Sequence, residues 1–330
     1  MTAVPADAII RIDAVTICGT DLHILRGDVP EVAPGRILGH EAVGTVVATG
    51  PAVAAWRPGD RVLVSCISAC GCCRYCRSGV FGQCLGGGGW ILGHLIDGTQ
   101  AEYVRVPFAD TSLYPVPENV PDRAALMLAD ILPTAYEVGV RNGAVRPGDT
   151  VVIVGAGPIG LASVTTARLF TPNHIVAVDP AALRRDAAKM MGADVTADTA
   201  EEAGTAVAEL TGGLGADVAI EAVGVSATFE LCARLVRPGG RVANVGVHGG
   251  PATLRLERLW SRNVTITTGL VDTSSTPDLM RMVAAGRMDT SAFVTHDFPL
   301  SEMEAAYRTF TDAATTGALK IAAFRDALAA

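Results

Sequence analysis

Aromatic residues are scarce in this 330-residue chain, at 5%, and charged residues make up only 18%. Set beside 36 glycines, that scarcity suits β/α units with tight turns better than a helical bundle. Basic runs are also lacking, and the net charge is −8 with a pI of about 5.3. Nucleic acid is therefore excluded as a main partner. No apolar run reaches the roughly 18 residues of a membrane helix. The longest candidate, residues 151–164, is broken by Gly155, Gly157 and Gly160, so no membrane partner is expected. The start, MTAVPADAII, shows neither a basic region nor a cleavage site, and a cytoplasmic protein is expected. What remains is a globular composition, 49% apolar, long enough for two domains with separate cores.

The chain changes texture along its length. Residues 8–14, 42–48 and 61–65 read as strands closely punctuated by Gly and Pro, the mark of an irregular β domain. From about residue 135, strands at 150–154, 174–178, 218–221, 241–245 and 264–268 alternate with helices at 159–170, 181–191 and 226–236. That alternation predicts a doubly wound α/β domain with a parallel sheet covered on both faces. The tail adds a helix near 276–285 and a strand at 320–324. There are no repeats and no low-complexity segments.

The strand at 150–154 runs directly into Gly155-Ala156-Gly157-Pro158-Ile159-Gly160. A glycine fingerprint between a buried strand and a helix is the context of a dinucleotide site. The first glycine permits the turn, the second lets backbone approach pyrophosphate, and the third lets helix and strand pack closely. Asp179 follows just after the next strand, where a carboxylate accepts bonds from ribose hydroxyls and repels a 2′-phosphate. NAD is expected. Arg184 and Arg185 are the feature that would suit NADP instead, and the bland alternative is a glycine turn without ligand.

Six of the eight cysteines lie between Cys66 and Cys84. Cys70, Cys73, Cys76 and Cys84 have the spacing C-x2-C-x2-C-x7-C, which closes a tetrahedral thiolate shell around a structural zinc. Cys66 and Cys72 fall outside it as bystanders, and a redox disulfide within Cys72–Cys76 is the rival reading. A short loop without a core depends on its metal, so chelation is expected to loosen the 66–84 lobe first.

Cys18-Gly19-Thr20-Asp21-Leu22-His23 and Gly39-His40-Glu41 resemble the metal-binding signatures of zinc-dependent medium-chain alcohol dehydrogenases. The four-Cys lobe, the glycine fingerprint and Asp179 follow in that family's order, so the resemblance covers nearly the whole chain. It implies a β-rich GroES-like catalytic domain at 1–133 and 272–330, with a Rossmann NAD domain at 134–271. It also implies Cys18 and His40 as ligands of a catalytic zinc. Many members carry a further Cys shortly before the nucleotide domain. This chain has Asp130 there, similar to a bacterial branch that includes secondary-alcohol dehydrogenases. Asp is itself a recognised zinc ligand, though an N-cap or surface acid is the plain alternative for Asp130. Glu41 is either a fourth ligand when no substrate is bound or purely structural.

The resemblance further assigns Thr20 to take the alcohol proton, His23 to relay it to solvent, and Asp21 to orient His40. Trp90 becomes a substrate-pocket wall, or else a core aromatic. Thr134 corresponds to a nicotinamide contact, and Val223, Val247 and Val271 are further candidates at strand ends. His174, His248 and His296 read as structural hydrogen-bonders. The expected cofactors are two zincs per chain and NAD, and the expected substrate is a small alcohol or its carbonyl. A homo-oligomer is expected, a tetramer ahead of a dimer. Polyol, threonine or formaldehyde dehydrogenation on the same scaffold is the nearest alternative; a noncatalytic nucleotide-binding zinc scaffold is the alternative of another class. Relatives start earlier, so an uncovered sheet edge is also expected.

Overall fold

The structure, a computed structural model, describes residues 4–325. It divides into two compact units, one made of Met1–Pro133 with Val271–Ala330, the other of Thr134–Leu270.

The first unit begins with strands β1 (Ala8–Thr16), β2 (Ala42–Thr49), β3 (Arg61–Val64), β4 (Tyr103–Val106) and β5 (Leu113–Pro115). The second holds β6 (Thr150–Val154), β7 (His174–Val178), β8 (Val195–Ala197), β9 (Ala216–Glu221), β10 (Val236–Asn244) and β11 (Thr265–Thr268). The chain then returns to the first unit with β12 (Val294–Pro299) and β13 (Lys320–Phe324).

In the first unit β1 is the pivot of a seven-stranded sheet ordered β12-β13-β1-β2-β3-β5, with β4 also on β1. Its sequence AIIRIDAVT is almost wholly buried, because β2 and β4 bond it along opposite sides and β13 takes over beyond Ala14. The expectation of an uncovered edge therefore does not hold for β1. Ile10, Ile12, Val15, Val46, Val62, Val64 and Leu92 form its core. A second cluster of Ile17, Ala306, Phe310, Ala318 and Ile321 seats the Met303–Thr311 helix against the end of the sheet.

In the second unit all ladders are parallel, in the order β11-β10-β9-β6-β7-β8. That is the order of a doubly wound dinucleotide-binding sheet, with its reversal between β6 and β9. Every residue of β6 is buried, as expected where helices cover both faces. Two differences from the sequence reading have local causes. The helix after β6 ends at Ala167 and tightens into a 3-10 turn at Arg168–Phe170, closed by left-handed Thr171. The short β8 and the Ala200–Thr211 helix were not anticipated, because three strand residues carry almost no periodicity. The fold class is α/β, a Rossmann sheet accompanied by a β-rich unit.

Candidate functional site

Strand pairing builds the first site. Cys18 follows β1 and opens the Gly19–Arg26 helix. His40 and Glu41 precede β2, whose Ala42 pairs with Val15 of β1, so the antiparallel register carries both toward Cys18. Asp130 arrives from a helical turn pinned by Cys66 N donating to Ala129 O at 3.2 Å and Thr276 Oγ1 donating to Leu128 O at 3.2 Å. His40 Nε2 lies 3.4 Å from Asp130 Oδ2 and 3.8 Å from Glu41 Oε1. The Cys18 sulfur is 3.6 Å from Asp130 Oδ2. One ligand atom from each of Cys18, His40, Glu41 and Asp130 lies within 4.8 Å of the other three.

Electrostatics test whether this pocket fits a cation. Cys18, Asp21, Glu41 and Asp130 face one ammonium, that of Lys320. Burial, with the Asp130 carboxylate, pushes the Cys18 thiol up. Burial opposes a charged His40, yet Asp130 and Cys18 outweigh it and draw the imidazole well above its ordinary range. A buried site that raises acids and base alike is short of positive charge, and a divalent cation supplies it. Thiolate, imidazole and carboxylate are zinc's own donor set.

The surrounding groups orient the cluster. Asp21 Oδ2 accepts from Cys18 N at 2.9 Å and from Gln100 Nε2 at 3.0 Å, and Tyr307 donates to Gln100 Oε1 at 2.7 Å. Asp21 Oδ1 stands 4.0 Å from His40 Nδ1, and among the described residues neither atom has a hydrogen-bond partner. Lys320, 1% exposed, donates to Ile17 O at 3.0 Å and to both Glu41 oxygens at 2.9 and 2.8 Å. Burial pulls its pKa down, but the Glu41 carboxylate more than offsets that and holds it above the usual lysine range. Gln100, Tyr307 and Lys320 escaped the sequence reading. A signal did exist for one of them, since Lys189 and Lys320 are the only lysines among 26 basic residues.

Thr20 and His23 sit on the Gly19–Arg26 helix. Thr20 Oγ1 lies 3.6 Å from the Cys18 sulfur, and His23 Nδ1 pairs at 2.8 Å with Asp28, a partner the sequence did not suggest. Trp90 is brought edge-on to His40 at 6.2 Å and stacks on His94 at 4.1 Å.

The four sulfurs of Cys70, Cys73, Cys76 and Cys84 also lie within 4.8 Å of one another. Backbone amides of Cys70 and Gly86 donate to the Cys84 sulfur at 3.3 and 3.4 Å, and those of Cys76 and Leu85 to the Cys73 sulfur at 3.4 Å each. Burial opposes a charged Cys70, yet the amides of Cys72 and Cys73 bring its pKa down to about 6. Amides aimed at sulfur favour the thiolates a metal needs. All eight cysteines are free thiols, and Cys76 faces the other three sulfurs of this shell, not Cys72 in a disulfide.

In the second unit the three glycines of the fingerprint differ in what surrounds them. Gly155 is left-handed at φ +98°, and a Cβ on Gly160 would sit 1.7 Å from Gly155 O. A Cβ on Gly157 meets nothing within 4 Å: the backbone there borders open space at the N-terminus of the Pro158–Ala167 helix. That combination fits a pyrophosphate. Asp179 Oδ2 accepts from Ala156 N at 2.9 Å, Oδ1 accepts from Ala181 N at 2.9 Å, and Arg184 stands 3.7 Å away. Val223 and Val247 are exposed beyond β9 and β10; Thr134 opens this unit, and buried Val271 belongs to the first.

Comparison with known proteins agrees with this geometry. Residues 4–118 match the alcohol dehydrogenase GroES-like domain, and residues 158–285 match the zinc-binding dehydrogenase domain. The chain belongs to the zinc-dependent medium-chain alcohol dehydrogenase family, and its function is that of an oxidoreductase acting on alcohols. An alcohol dehydrogenase of Cupriavidus necator is 38% identical, covering 96% of this chain and 92% of the relative. A zinc-dependent alcohol dehydrogenase 2 from Streptococcus pneumoniae, solved in its apo form, superposes with a TM-score of 0.95. It is 45% identical, with 100% of this chain and 94% of that one covered. An NADP-dependent isopropanol dehydrogenase of Thermoanaerobacter brockii is 35% identical over 89% of this chain and 86% of its own.

Proposed function

We propose that this protein passes a hydride reversibly between a small primary or secondary alcohol, yielding aldehyde or ketone, and NAD. The observation that carries the reading is the buried cluster of Cys18, His40, Glu41 and Asp130, with ligand atoms within 4.8 Å of one another. Cys18, His40 and Asp130 would hold one zinc, and Cys70, Cys73, Cys76 and Cys84 a second. Zinc at the first site supplies a Lewis acid that makes an alcohol hydroxyl more acidic and polarises a carbonyl. Nicotinamide supplies the hydride acceptor.

The protein's own groups do the rest. Thr20 Oγ1, beside the Cys18 sulfur, takes the hydroxyl proton, and His23 passes it to solvent while Asp28 holds its Nδ1. Asp21 orients His40 through Nδ1. Lys320 grips both oxygens of Glu41, which keeps that carboxylate from closing the ligand set and leaves a position for substrate. Trp90 walls the substrate side. Asp179 binds the ribose hydroxyls and favours NAD, with Arg184 beside it as the group that would admit NADP. Gly155, Gly157, Pro158, Ile159 and Gly160 cradle the pyrophosphate, and Thr134, Val223 and Val247 are this unit's candidates for nicotinamide contacts; Val271, buried in the other unit, stays a candidate by resemblance alone.

In this reading the unit formed by Met1–Pro133 and Val271–Ala330 is the catalytic domain, and Thr134–Leu270 is the nucleotide domain. The protein works as a homo-oligomer, a tetramer ahead of a dimer, and exposed Leu254, Leu256 and Trp260 support association. No helix among the described residues is long and apolar enough to cross a membrane; cysteines spaced for metal ligation support the reading of a reducing, cytoplasmic setting. The test combines a zinc count with rates on primary alcohols, secondary alcohols and polyols, using NAD and NADP. Cys18→Ala should abolish turnover while NAD still binds, as read by fluorescence titration; full activity in that variant would remove the assignment.

A further inference from the structure

Two cysteines of the lobe, buried Cys66 and exposed Cys72, stand outside the metal shell, and Cys72 is not remote from it. Among the described residues it is the one exposed cysteine. Its sulfur lies 3.6 Å from that of Cys70, within hydrogen-bonding reach for two sulfurs. The turn between them is made by Gly71, left-handed at φ +73°, which brings the two flanking sulfurs together. A side chain at Gly71 would be strained there and would meet Thr111 Cγ2 at 3.0 Å. The fold thus places an exposed thiol in contact with the Cys70 edge of a four-sulfur shell.

We propose that Cys70 and Cys72 are a hydroperoxide-responsive dithiol, whose oxidation to a disulfide withdraws Cys70 from the shell and opens the lobe. This rests on the reading of Cys70, Cys73, Cys76 and Cys84 as a zinc shell. The chemistry needs only a hydroperoxide as oxidant. The Cys70 thiolate attacks the peroxide and leaves the metal, the O–O bond breaks, the S–OH of a sulfenic acid forms, and the departing alkoxide (hydroxide, for hydrogen peroxide) takes a proton from solvent. The Cys72 thiol then attacks the Cys70 sulfur. An S–S bond forms, the S–O bond breaks, and the oxygen leaves as water with the Cys72 proton. In sum, one thiolate, one thiol, one hydroperoxide and one solvent proton give one disulfide, one alcohol (water, for hydrogen peroxide) and one water.

A disulfide requires sulfurs about 2.05 Å apart, so the 3.6 Å contact must close by about 1.5 Å. An exposed glycine-hinged loop accommodates that shift. Cys73, Cys76 and Cys84 then remain as an incomplete set of three, and a lobe that depends on its metal for shape loosens. Proximity is the feature that sets Cys72 apart from a random surface thiol. It converts disulfide closure into an intramolecular step and competes with over-oxidation of Cys70.

The experiment uses the full-length zinc-loaded protein and its Cys72→Ser variant, treated with hydrogen peroxide. Zinc release is followed with a chromogenic chelator, and disulfides are mapped by mass spectrometry after free thiols are blocked. The wild-type protein should yield a Cys70–Cys72 linked peptide and lose one zinc, both reversed by dithiothreitol with added zinc. Cys72→Ser should show unchanged turnover before oxidation and release zinc at least about tenfold more slowly, since its resolving thiol is gone. A disulfide mapped to any other pair, no disulfide, or equal release from both proteins would overturn the proposal. The zinc count before oxidation stands apart. A wild-type protein with an empty lobe fails the metal reading, and the mapped disulfide decides the dithiol.

Discussion

Lys320 carries the sharpest consequence at the scale of single residues. It and Glu41 are each 1% exposed, so removing one partner strands a charge in the interior. Lys320→Met should cost about 3–5 kcal/mol, read as a lowered midpoint in urea. The double variant with Glu41→Gln should recover most of that loss; an additive double variant would show that the pair is not coupled. Lys320→Arg should rescue only in part, because a planar fork does not replace a compact ammonium donating to three oxygens.

Residues of this kind mark where the sequence was legible and where it was not. Cys70, Cys73, Cys76 and Cys84 could be read because their spacing is local. The grouping of Cys18, His40 and Glu41 could be read because short phrases carry them. Lys320 reaches Glu41 across 279 positions and Tyr307 reaches Gln100 across 207, and nothing local announces either contact. The register of β13 on β1, with Thr16 opposite Ala322, fixes the first of them. Continued for two residues, it sets Lys320 opposite Cys18. Such pairings are decided by strand order, which residue types do not encode.

At the scale of elements, the glycine loop offers two substitutions with opposite expectations. A Cβ on Gly160 would strike Gly155 O at 1.7 Å, whereas one on Gly157 meets nothing. Gly160→Ala should force β6 and its helix apart and cost at least about 1–3 kcal/mol. Gly157→Ala should keep the melting temperature but weaken NAD binding, because its methyl group would occupy the space read as the pyrophosphate's. Thermal melts and cofactor titration together decide; full NAD affinity in Gly157→Ala would count against that reading of the loop.

A second element-level prediction concerns the Ser226–Leu235 helix. Glu230 accepts from Arg255 at 2.9 Å and from Ser226 Oγ at 3.3 Å, and the Arg255 bond, aided by its charge, holds the carboxyl below the usual glutamate range. A depressed carboxyl stabilises the fold above its unfolded pKa, and that contribution is lost as pH falls through the folded value. The pin between helix and loop is therefore intact at neutral pH and fails only in acid. In Arg255→Ala the Glu230 titration, followed by carbon NMR, should return to the ordinary range; an unchanged curve would assign the shift elsewhere.

At the scale of the whole molecule, the two units were legible because their textures differ. Near-continuous apolar strands alternate with helices between residues 134 and 270, and Gly- and Pro-broken strands flank them. Texture alone shows the strand at 320–324 but not its place; the family resemblance implied the tail's return to the first domain, and β12 was not anticipated. The buried Cys18, His40, Glu41 and Asp130 cluster thus depends on the last described strand as well as the first, since Lys320 stands at the head of β13 and Cys18 just past β1. The most direct measurement of the central claim is a zinc-edge anomalous diffraction map of the metal-loaded protein. The account predicts a peak about 2.0–2.3 Å from the Cys18 sulfur, His40 Nε2 and an Asp130 oxygen, besides one amid the four lobe sulfurs. A peak in the lobe alone, or one that excludes Asp130, would contradict it.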